Sequence, residues 1–581
     1  MKSFVGNRSI VADDPRTRDH REQTAQVLAS LSTATEKQLR FASRALHEIR
    51  ATTERNAWTT WPNALVLLAV VIAIRVLYHL YFCPYEIVGD ESYYWQQARH
   101  LDWCYNEKGP LLAWMIALCC RLLGDTEFAV RLPMIISFAV AAFGIGWIAD
   151  SVARKNRGQA ALLSVAIFCL IPAFQANAQF STQDGPFTTL WVLLTAVGLQ
   201  LIRRWEAKQS TWAQWILIWV LLGVGALLKH TIVLFVPSIL LYAALVRRSL
   251  TWNWRTLLLQ QGVGAIVFLA LISPMIIWNQ RHGWPMLAHT MGHLGAGGDQ
   301  IGRANRGNPL TWVLNVVGSL LGSIGPPLFI LFASAWAAAR RAKQANLAQW
   351  HDRLWLICAT VPSVLFYVLL ALTKPVVPSW PTPGTVPLVA LVAAWLVEFR
   401  RWSTAPKWLA TTCSGLVIYG VIGQLILFFP TPLRYLPIVG SKIEKATFKR
   451  FTGRRDEARS LSAVLGQVRT TDGQPPLLVA RHYMEAGQLS FYLPGHPSVF
   501  TAGKYLGKRS TTYDQWPDTQ LDNPALRGRT LLLIGDGDVP WEKALRFGDR
   551  KYLDASNRFS VAFDYRGPQP DHPDNLKGDA E

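Results

Sequence analysis

The feature that most constrains this chain is a succession of apolar runs, each close to the length of a membrane-spanning helix. About 20 apolar residues are needed for an α-helix to cross about 30 Å of hydrocarbon. We predict eleven such spans, at residues 61–82, 130–152, 159–176, 186–202, 212–228, 231–246, 256–278, 311–338, 354–372, 385–399 and 408–429. The sequence therefore predicts a mainly α, polytopic membrane protein.

Composition agrees with this fold class and argues against nucleic-acid binding. The chain is 51% hydrophobic over 581 residues, and its 25 Trp are typical of interfacial belts. The net charge of +20 comes largely from basic residues in short loops between the predicted spans. Basic residues in this pattern indicate the topology of the protein in the membrane and contacts with anionic membrane lipids. The sequence contains no known basic module that binds nucleic acid.

The loop charges also predict an orientation. With the N-terminus inside, the inner loops carry at least three Lys or Arg each, whereas most outer loops carry one or none. We therefore predict a cytoplasmic tail at 1–57, a transmembrane domain at 58–429 and an extracytoplasmic C-terminal domain at 430–581. Within the tail, Gln26–Arg50 has helical apolar spacing, and the alternatives are a partly disordered tail and a partner-binding helix.

The C-terminal domain is predicted to be a small α/β unit. Leu477–Ala480 and Leu531–Ile534 are strand-like runs, and a helix-like stretch between them covers Met484–Tyr492. The GDGD sequence at 535–538 is interpreted as a turn after a buried strand.

The most unusual stretch is Val88–Leu112, VGDESYYWQQARHLDWCYNEKGPLL, which belongs to the predicted first outer loop at 83–127. It mixes charged residues with five Tyr and Trp, which a simple connection between two spans does not need. Leu111–Leu123 is apolar but too short to cross the bilayer, so we predict an interfacial helix there.

The acidic residues of the outer loops are candidate catalytic groups. Asp90 and Glu91 can act as general bases that accept a proton from an attacking hydroxyl. The alternative is that they cap a helix beginning near Ser92. Asp184, in the second outer loop, precedes Gly185 and Pro186, and catalysis and helix capping remain alternatives there also.

Cationic residues near the same face are candidate ligands of a phosphate. Lys108 follows Glu107 directly, and it can neutralise a phosphate leaving group or form a surface ion pair. Lys229 and Arg131 lie at or inside helix ends. They either extend their charges to the lipid headgroups or bind the phosphate of a lipid substrate.

A divalent metal is a further hypothesis, with Glu107, His289 and His293 as ligands. The two histidines are four residues apart, one turn apart if that segment is helical. The alternative is an ordinary exposed pair of histidines. No nucleotide cofactor is predicted, because the sequence contains neither GxxxxGK[ST] nor a convincing GxGxxG motif.

Six motifs, in order, resemble the bacterial GT-C glycosyltransferases, in particular the protein mannosyltransferases and the aminoarabinose transferase of lipid A. The motifs are GDESYYW, YNEKGPLLAWMIAL, VRLP, TQDGP, SPMIIWNQRHGW and PSWPTP. The resemblance implies many transmembrane helices, a first outer loop with interfacial helices, a polyprenyl-phosphate sugar donor and inversion at the anomeric carbon.

The resemblance also implies roles for individual residues. Asp90 matches the acidic residue of the first outer loop, the leading candidate for the catalytic base, and Asp184 matches that of the second. Glu107 and Lys108 match a Glu-Lys pair that, in some members, lies beside the donor phosphate and a bound metal.

Two departures from the family pattern change the backbone beside these residues. Gly109 stands where a proline is common. Gly185 stands where the pattern more often has alanine. The substrate is therefore left open.

The sequence thus predicts an inner-membrane, cell-envelope glycosyltransferase that moves a sugar to an extracytoplasmic acceptor, which is a lipid, a glycan or a protein. A transporter or flippase of lipid-linked saccharides is the alternative, and it would need charges or broken helices near mid-membrane. A non-catalytic partner-binding protein would leave the acidic loop clusters unexplained.

Overall fold

The computed structural model describes residues 60–153, 155–247, 253–294, 308–341, 343, 347–398, 406–433, 435, 451–468, 470, 473–535, 537–553 and 557–569. The predicted tail, including Gln26–Arg50, lies outside these residues. The described residues from Trp61 onward belong to one compact unit. It contains a helical region, residues 60–433, and a C-terminal sheet region, residues 451–569.

Helices occur at every position where a span is predicted. The helical region comprises α1 Thr60–Leu77, α2 Gly89–Arg99, α3 Leu111–Leu123, α4 Glu127–Val152, α5 Arg157–Leu170, α6 Pro172–Asn177, α7 Asp184–Glu206, α8 Trp212–Leu228, α9 Phe235–Val246, α10 Trp254–Arg281, α11 Pro285–Leu294, α12 Pro309–Ile324, α13 Pro326–Arg341, α14 Leu347–Cys358, α15 Val361–Leu370, α16 Val386–Leu396, α17 Lys407–Phe428 and α18 Pro430–Leu433. Short 3₁₀ turns, His230–Leu234 and Thr382–Thr385, precede α9 and α16. The interfacial helix predicted at Leu111–Leu123 is present with those bounds.

Six helices in the described residues are long and apolar enough to cross a membrane, and a seventh span results if α12 and α13, bent by 89°, are counted together. Several other apolar helices, among them α5, α8 and α16, are shorter. The multi-pass character is therefore confirmed. The number eleven and the sidedness of the loops stay predictions.

Aromatic side chains hold the helices together at the centre of the helical region. The rings of Trp191 on α7 and Phe235 on α9 meet edge to face at 5.1 Å, and Phe235 meets Trp355 on α14 at 5.8 Å. Both indole N–H groups are satisfied: Trp191 donates to the Ala359 carbonyl at 3.0 Å, and Trp355 donates to the Thr195 carbonyl at 2.8 Å. These large rings are buried without leaving an unpaired donor.

The C-terminal sheet region confirms the predicted α/β elements. It contains α19 Arg454–Leu465, β1 Leu477–Ala480, α20 Tyr483–Tyr492, β2 Val499–Thr501, β3 Leu531–Ile534, α21 Trp541–Ala544, β4 Leu545–Arg546, β5 Arg550–Tyr552, β6 Phe559–Ala562 and β7 Gly567–Pro568. A five-stranded sheet has the order β2-β1-β3-β6-β5, and β4 pairs with β7. β1 is parallel to β2 and β3, whereas β6 is antiparallel to β3 and β5. The apolar runs of β1 and β3 are buried because both faces of the sheet are covered.

The sheet region packs directly on residues 83–127, the predicted first outer loop. Tyr93, Tyr105 and Ala113 of that loop share a hydrophobic core with residues of β1, β3 and α20. At the edge of this contact, the Tyr492 hydroxyl accepts a hydrogen bond from the Ile87 N–H at 2.7 Å and donates to the Glu127 carboxylate. A single phenol therefore joins α20 to the segments before α2 and at the start of α4.

We expect Tyr492→Phe to loosen this contact. The substitution leaves the buried Ile87 N–H without its acceptor, which costs about 1–3 kcal/mol, whereas Glu127 keeps its ion pair with Arg455. A lower unfolding temperature in detergent, followed by tryptophan fluorescence, would show the loss. Tyr552→Phe is the matched control, because Tyr552 is 46% exposed on β5. Equal unfolding temperatures for both variants would contradict the assigned contact.

Candidate active site

A cavity of about 1190 Å³ lies between the predicted first outer loop, the ends of several helices and the C-terminal sheet region. Its lining contains most of the ionisable residues predicted to form a site. Those residues are Asp90, Glu107, Lys108, Asp184, Lys229, His289 and His293. The structure thus brings together side chains that lie up to about 200 residues apart in the chain.

Asp90 lines this cavity from the first turn of α2. The residue is half-buried. Among the described residues, no group donates a hydrogen bond to its carboxylate or forms an ion pair with it. A carboxylate without a protein donor keeps its lone pairs for a substrate proton, which is the geometry that a general base needs.

Glu91, the next residue, has a different environment. Its carboxylate accepts from Arg131 Nε at 2.9 Å and Nη2 at 2.8 Å, and both side chains are at most 1% exposed. It also accepts from the backbone N–H groups of Ser181 at 2.7 Å and Val88 at 3.0 Å. Neither Glu91 nor Arg131 lines the cavity, so the geometry favours a positioning role over the predicted contacts with substrate. The pair fixes α2 to α4 and to the segment before α7.

Lys108 lines the cavity. Its ammonium donates to the Tyr94 hydroxyl and lies 4.4 Å from the centroid of that ring. No carboxylate in the described part of the chain lies within ion-pair distance of it. An ammonium placed in this way can bind an anionic ligand without first breaking an ion pair.

Asp184 and Lys229 form an ion pair within the cavity lining. Lys229 Nζ lies 2.9 Å from Asp184 Oδ1, and the Ser379 hydroxyl donates to Oδ2 at 3.3 Å. The ammonium also lies 5.4 Å from the Trp380 ring centroid. Asp184 is the first residue of α7 and also lines the cavity. The helix-start position that the sequence predicts for Asp184 is therefore observed.

The two glycines that depart from the family pattern are sites of close backbone approach. A Cβ on Gly109 would lie 2.1 Å from the Leu227 carbonyl oxygen at the end of α8. A Cβ on Gly185 would lie 2.7 Å from the Asn177 carbonyl oxygen. Helix ends therefore pack directly against the backbone beside Lys108 and Asp184.

The proposed metal ligands do not form a metal-binding set as they stand. Both oxygens of Glu107 are occupied, because Tyr93 Oη donates to one and Arg509 Nη1 to the other, each at 2.7 Å. His289 and His293 instead approach each other, with 2.9 Å between their Nε2 atoms. No group of three His, Cys, Asp or Glu side chains suited to a metal occurs in the described residues. The proposed mechanism uses no metal, and the metal stays a prediction.

Sequence reasoning missed the contribution of the C-terminal sheet region to the cavity. Lys504, Lys508, Arg509 and His482 line it from this side. The available signal was the stretch GKYLGKRS at 503–510, which carries three cations within six residues. Burial, and then the charge of Arg509, lowers the pKa of His482 to about 4, so this imidazole is neutral at physiological pH.

We expect Arg509→Gln to destabilise the protein by about 3 kcal/mol, because it leaves the buried Glu107 carboxylate without its cation. The second change Glu107→Gln should restore part of the loss, since the double variant buries no unpaired charge. Chemical denaturation in detergent measures both. Arg527→Gln is the control, because Arg527 is exposed in the same region. If the double variant lost as much stability as the two single variants together, the pairing of Arg509 with Glu107 would be contradicted.

Comparisons with known proteins agree with this architecture. Residues 107–278 match the family model of the dolichyl-phosphate-mannose-protein mannosyltransferases. The lipid A galacturonosyltransferase RgtD of Rhizobium johnstonii is 24% identical over 70% of this chain and 79% of its own length. The undecaprenyl phosphate-alpha-4-amino-4-deoxy-L-arabinose arabinosyl transferase of Erwinia tasmaniensis is 25% identical, over 57% of this chain. The chain spans only 56% of the length of that relative.

A solved structure shows the same fold. The apo crystal structure of ArnT from Cupriavidus metallidurans superimposes with a TM-score of 0.58 at 16% identity, covering 86% of this chain and 98% of that one. The ArnT structure bound to undecaprenyl phosphate gives a TM-score of 0.55. These findings confirm the resemblance carried by the sequence motifs: the chain is related to protein mannosyltransferases and to aminoarabinose transferases.

Proposed function

We propose that this protein moves a sugar from a polyprenyl-phosphate donor to an acceptor hydroxyl or phosphate, with inversion at the anomeric carbon. The observation that carries the proposal is the composition of one cavity. It contains a carboxylate without a protein donor, Asp90, and an ammonium without a carboxylate partner, Lys108. The arabinosyl transferase that is named for undecaprenyl phosphate, and the ArnT structure that contains this lipid, support this class of donor.

In the proposed reaction, the acceptor oxygen attacks the anomeric carbon from the side opposite the phosphate. Asp90 takes the proton of the acceptor as the new carbon–oxygen bond forms. The bond between the anomeric carbon and the phosphate oxygen breaks, and polyprenyl phosphate leaves with the electron pair. Lys108 stabilises the negative charge that develops on this phosphate.

Asp184 and Lys229 assist as a pair. Because Lys229 is already bound to Asp184, its contribution is a fixed dipole at the cavity wall rather than a free charge. A departing phosphate can recruit the ammonium as its charge grows, while Asp184 and the Trp380 ring keep Lys229 in place.

We further propose that the protein lies in the inner membrane, with the cavity and the C-terminal sheet region on the extracytoplasmic side. Support comes from the basic residues that the sequence places in alternate loops. A polyprenyl-phosphate sugar is bound to the membrane and already activated, so it can be used on the extracytoplasmic side. A site for such a donor needs no nucleotide-binding loop. Because RgtD is named for its action on lipid A, we propose a lipid acceptor here as well.

Asp90→Asn should abolish transfer while the protein remains folded. Loss of a positioned general base typically costs about 10²–10⁴ in rate. The assay supplies purified protein in lipid nanodiscs with radiolabelled polyprenyl-phosphate sugars and a lipid extract of the cell envelope. Asp456→Asn is the control, since the Asp456 side chain is 78% exposed in the C-terminal sheet region. Equal transfer by Asp90→Asn and wild type would exclude Asp90 as the base, and movement of the whole donor across the bilayer without transfer would favour a flippase.

A further inference from the structure

Lys229 stands at a break between two helical segments. It directly follows the last residue of α8, and the short turn His230–Leu234 begins after it. Its backbone is extended, with φ −152° and ψ 112°, and its N–H donates to the Gly225 carbonyl at 2.7 Å. Because a lysine side chain is a flexible four-carbon stem, an ammonium at such a break is accurately placed only if its backbone is also held.

Gln183 supplies a contact to this backbone. Its side-chain Nε2 donates to the Leu228 carbonyl at 2.5 Å, and both residues are buried and line the cavity. Leu228 is the last residue of α8, and the carbonyls in the last turn of a helix have no partner within the helix. The helix dipole also concentrates partial negative charge there. The amide of Gln183 therefore satisfies a carbonyl that would otherwise present negative charge to the cavity.

Two successive residues at the start of α7 contact two successive residues at the end of α8. The amide of Gln183 bonds to the backbone of Leu228. The carboxylate of Asp184 pairs with the side chain of Lys229. Gln183 is itself held, because its own carbonyl accepts from the Phe187 N–H at 3.0 Å in the first turn of α7. The first contact thus holds the backbone that carries Lys229, and the second sets the direction of its ammonium.

We propose that Gln183 is a positioning residue for Lys229. By holding the Leu228 carbonyl, it keeps the ammonium where Asp184 pairs with it before transfer and where the departing phosphate recruits it during transfer. This role rests on the proposed function, because only there does Lys229 act on a phosphate. Loss of the amide frees the end of α8 to shift. It also leaves the Leu228 carbonyl unpaired at the cavity, where its partial negative charge opposes the phosphate.

The variant Gln183→Met keeps the length of the side chain and removes its donor. We expect kcat for transfer to fall about tenfold, while KM for the polyprenyl-phosphate sugar changes less than about twofold, because Lys229 acts mainly as the phosphate leaves. Gln424→Met is the matched control. Gln424 also donates from Nε2 to carbonyls at a helix end, those of Cys169 and Leu170 at 3.2 and 3.3 Å, but it does not line the cavity. An equal loss of kcat in the two variants, or a loss in KM alone, would overturn the proposal.

A double-mutant cycle tests whether Gln183 acts through Lys229. If it does, the double variant Gln183→Met/Lys229→Met has the same kcat as Lys229→Met alone, because the ammonium that Gln183 positions is already absent. If the loss of kcat in the double variant equals the product of the two single losses, the residues act independently and the positioning role is rejected. Transfer by the wild type that still depends on Asp90 would then leave the glycosyltransferase activity in place.

A structure determined without turnover keeps this test separate from that of the proposed function. The sample is the full-length Gln183→Met variant in nanodiscs, without substrate, and the method is cryo-EM. We expect the Lys229 ammonium to lie beyond about 4 Å from the Asp184 carboxylate, the limit of an ion pair. That result supports the positioning role even if none of the donors is transferred. An ion pair that keeps its distance of 2.9 Å in the variant would overturn it.

Discussion

The buried ion pair between Glu107 and Arg509 is the interaction on which the site depends. Their atoms meet at 2.7 Å, and the Glu107 side chain is only 1% exposed. A carboxylate buried to this extent is costly unless it is paired and hydrogen-bonded, and here Tyr93 supplies the second donor. Because Glu107 precedes Lys108, the pair fixes the loop that carries the proposed phosphate ligand. Because Arg509 belongs to the C-terminal sheet region, the same pair joins the two regions that line the cavity, so fold and site are stabilised together.

The charges around the cavity divide into those that hold the structure and those that face a ligand. Glu91 with Arg131, and Asp184 with Lys229, are satisfied by each other. Asp90 has no comparable partner among the described residues. The proposed transfer from a lipid phosphate requires both kinds of charge. The base and the phosphate ligand must be free to bind substrate, and the paired charges around them must keep them in position. The proposed donor is itself a membrane lipid, and the apolar helices suit a protein that binds such a substrate.

Local sequence patterns predicted the helices and strands well, but they could not predict which distant residues form ion pairs. Strands at Leu477–Ala480 and Leu531–Ile534 were predictable because short apolar runs between turns carry their own signal. The outer-loop acids could be recognised from their unusual neighbours, and Asp90 and Asp184 do reach one cavity. The sequence could not distinguish Asp90 from Glu91, because the difference is made by Arg131, which is 40 residues away. Nor could it assign Arg509 to Glu107, because 402 residues separate the two and no spacing rule operates over that distance.

The central claim is that one cavity holds both the base and the phosphate ligand of a polyprenyl-phosphate sugar. A cryo-EM structure of the Asp90→Asn variant in nanodiscs, with an undecaprenyl-phosphate sugar bound, tests it most directly. We predict that the phosphate lies within hydrogen-bond distance of Lys108 Nζ, with the sugar between this lysine and residue 90. A phosphate bound elsewhere on the helical region, with the sugar outside the cavity, would contradict it.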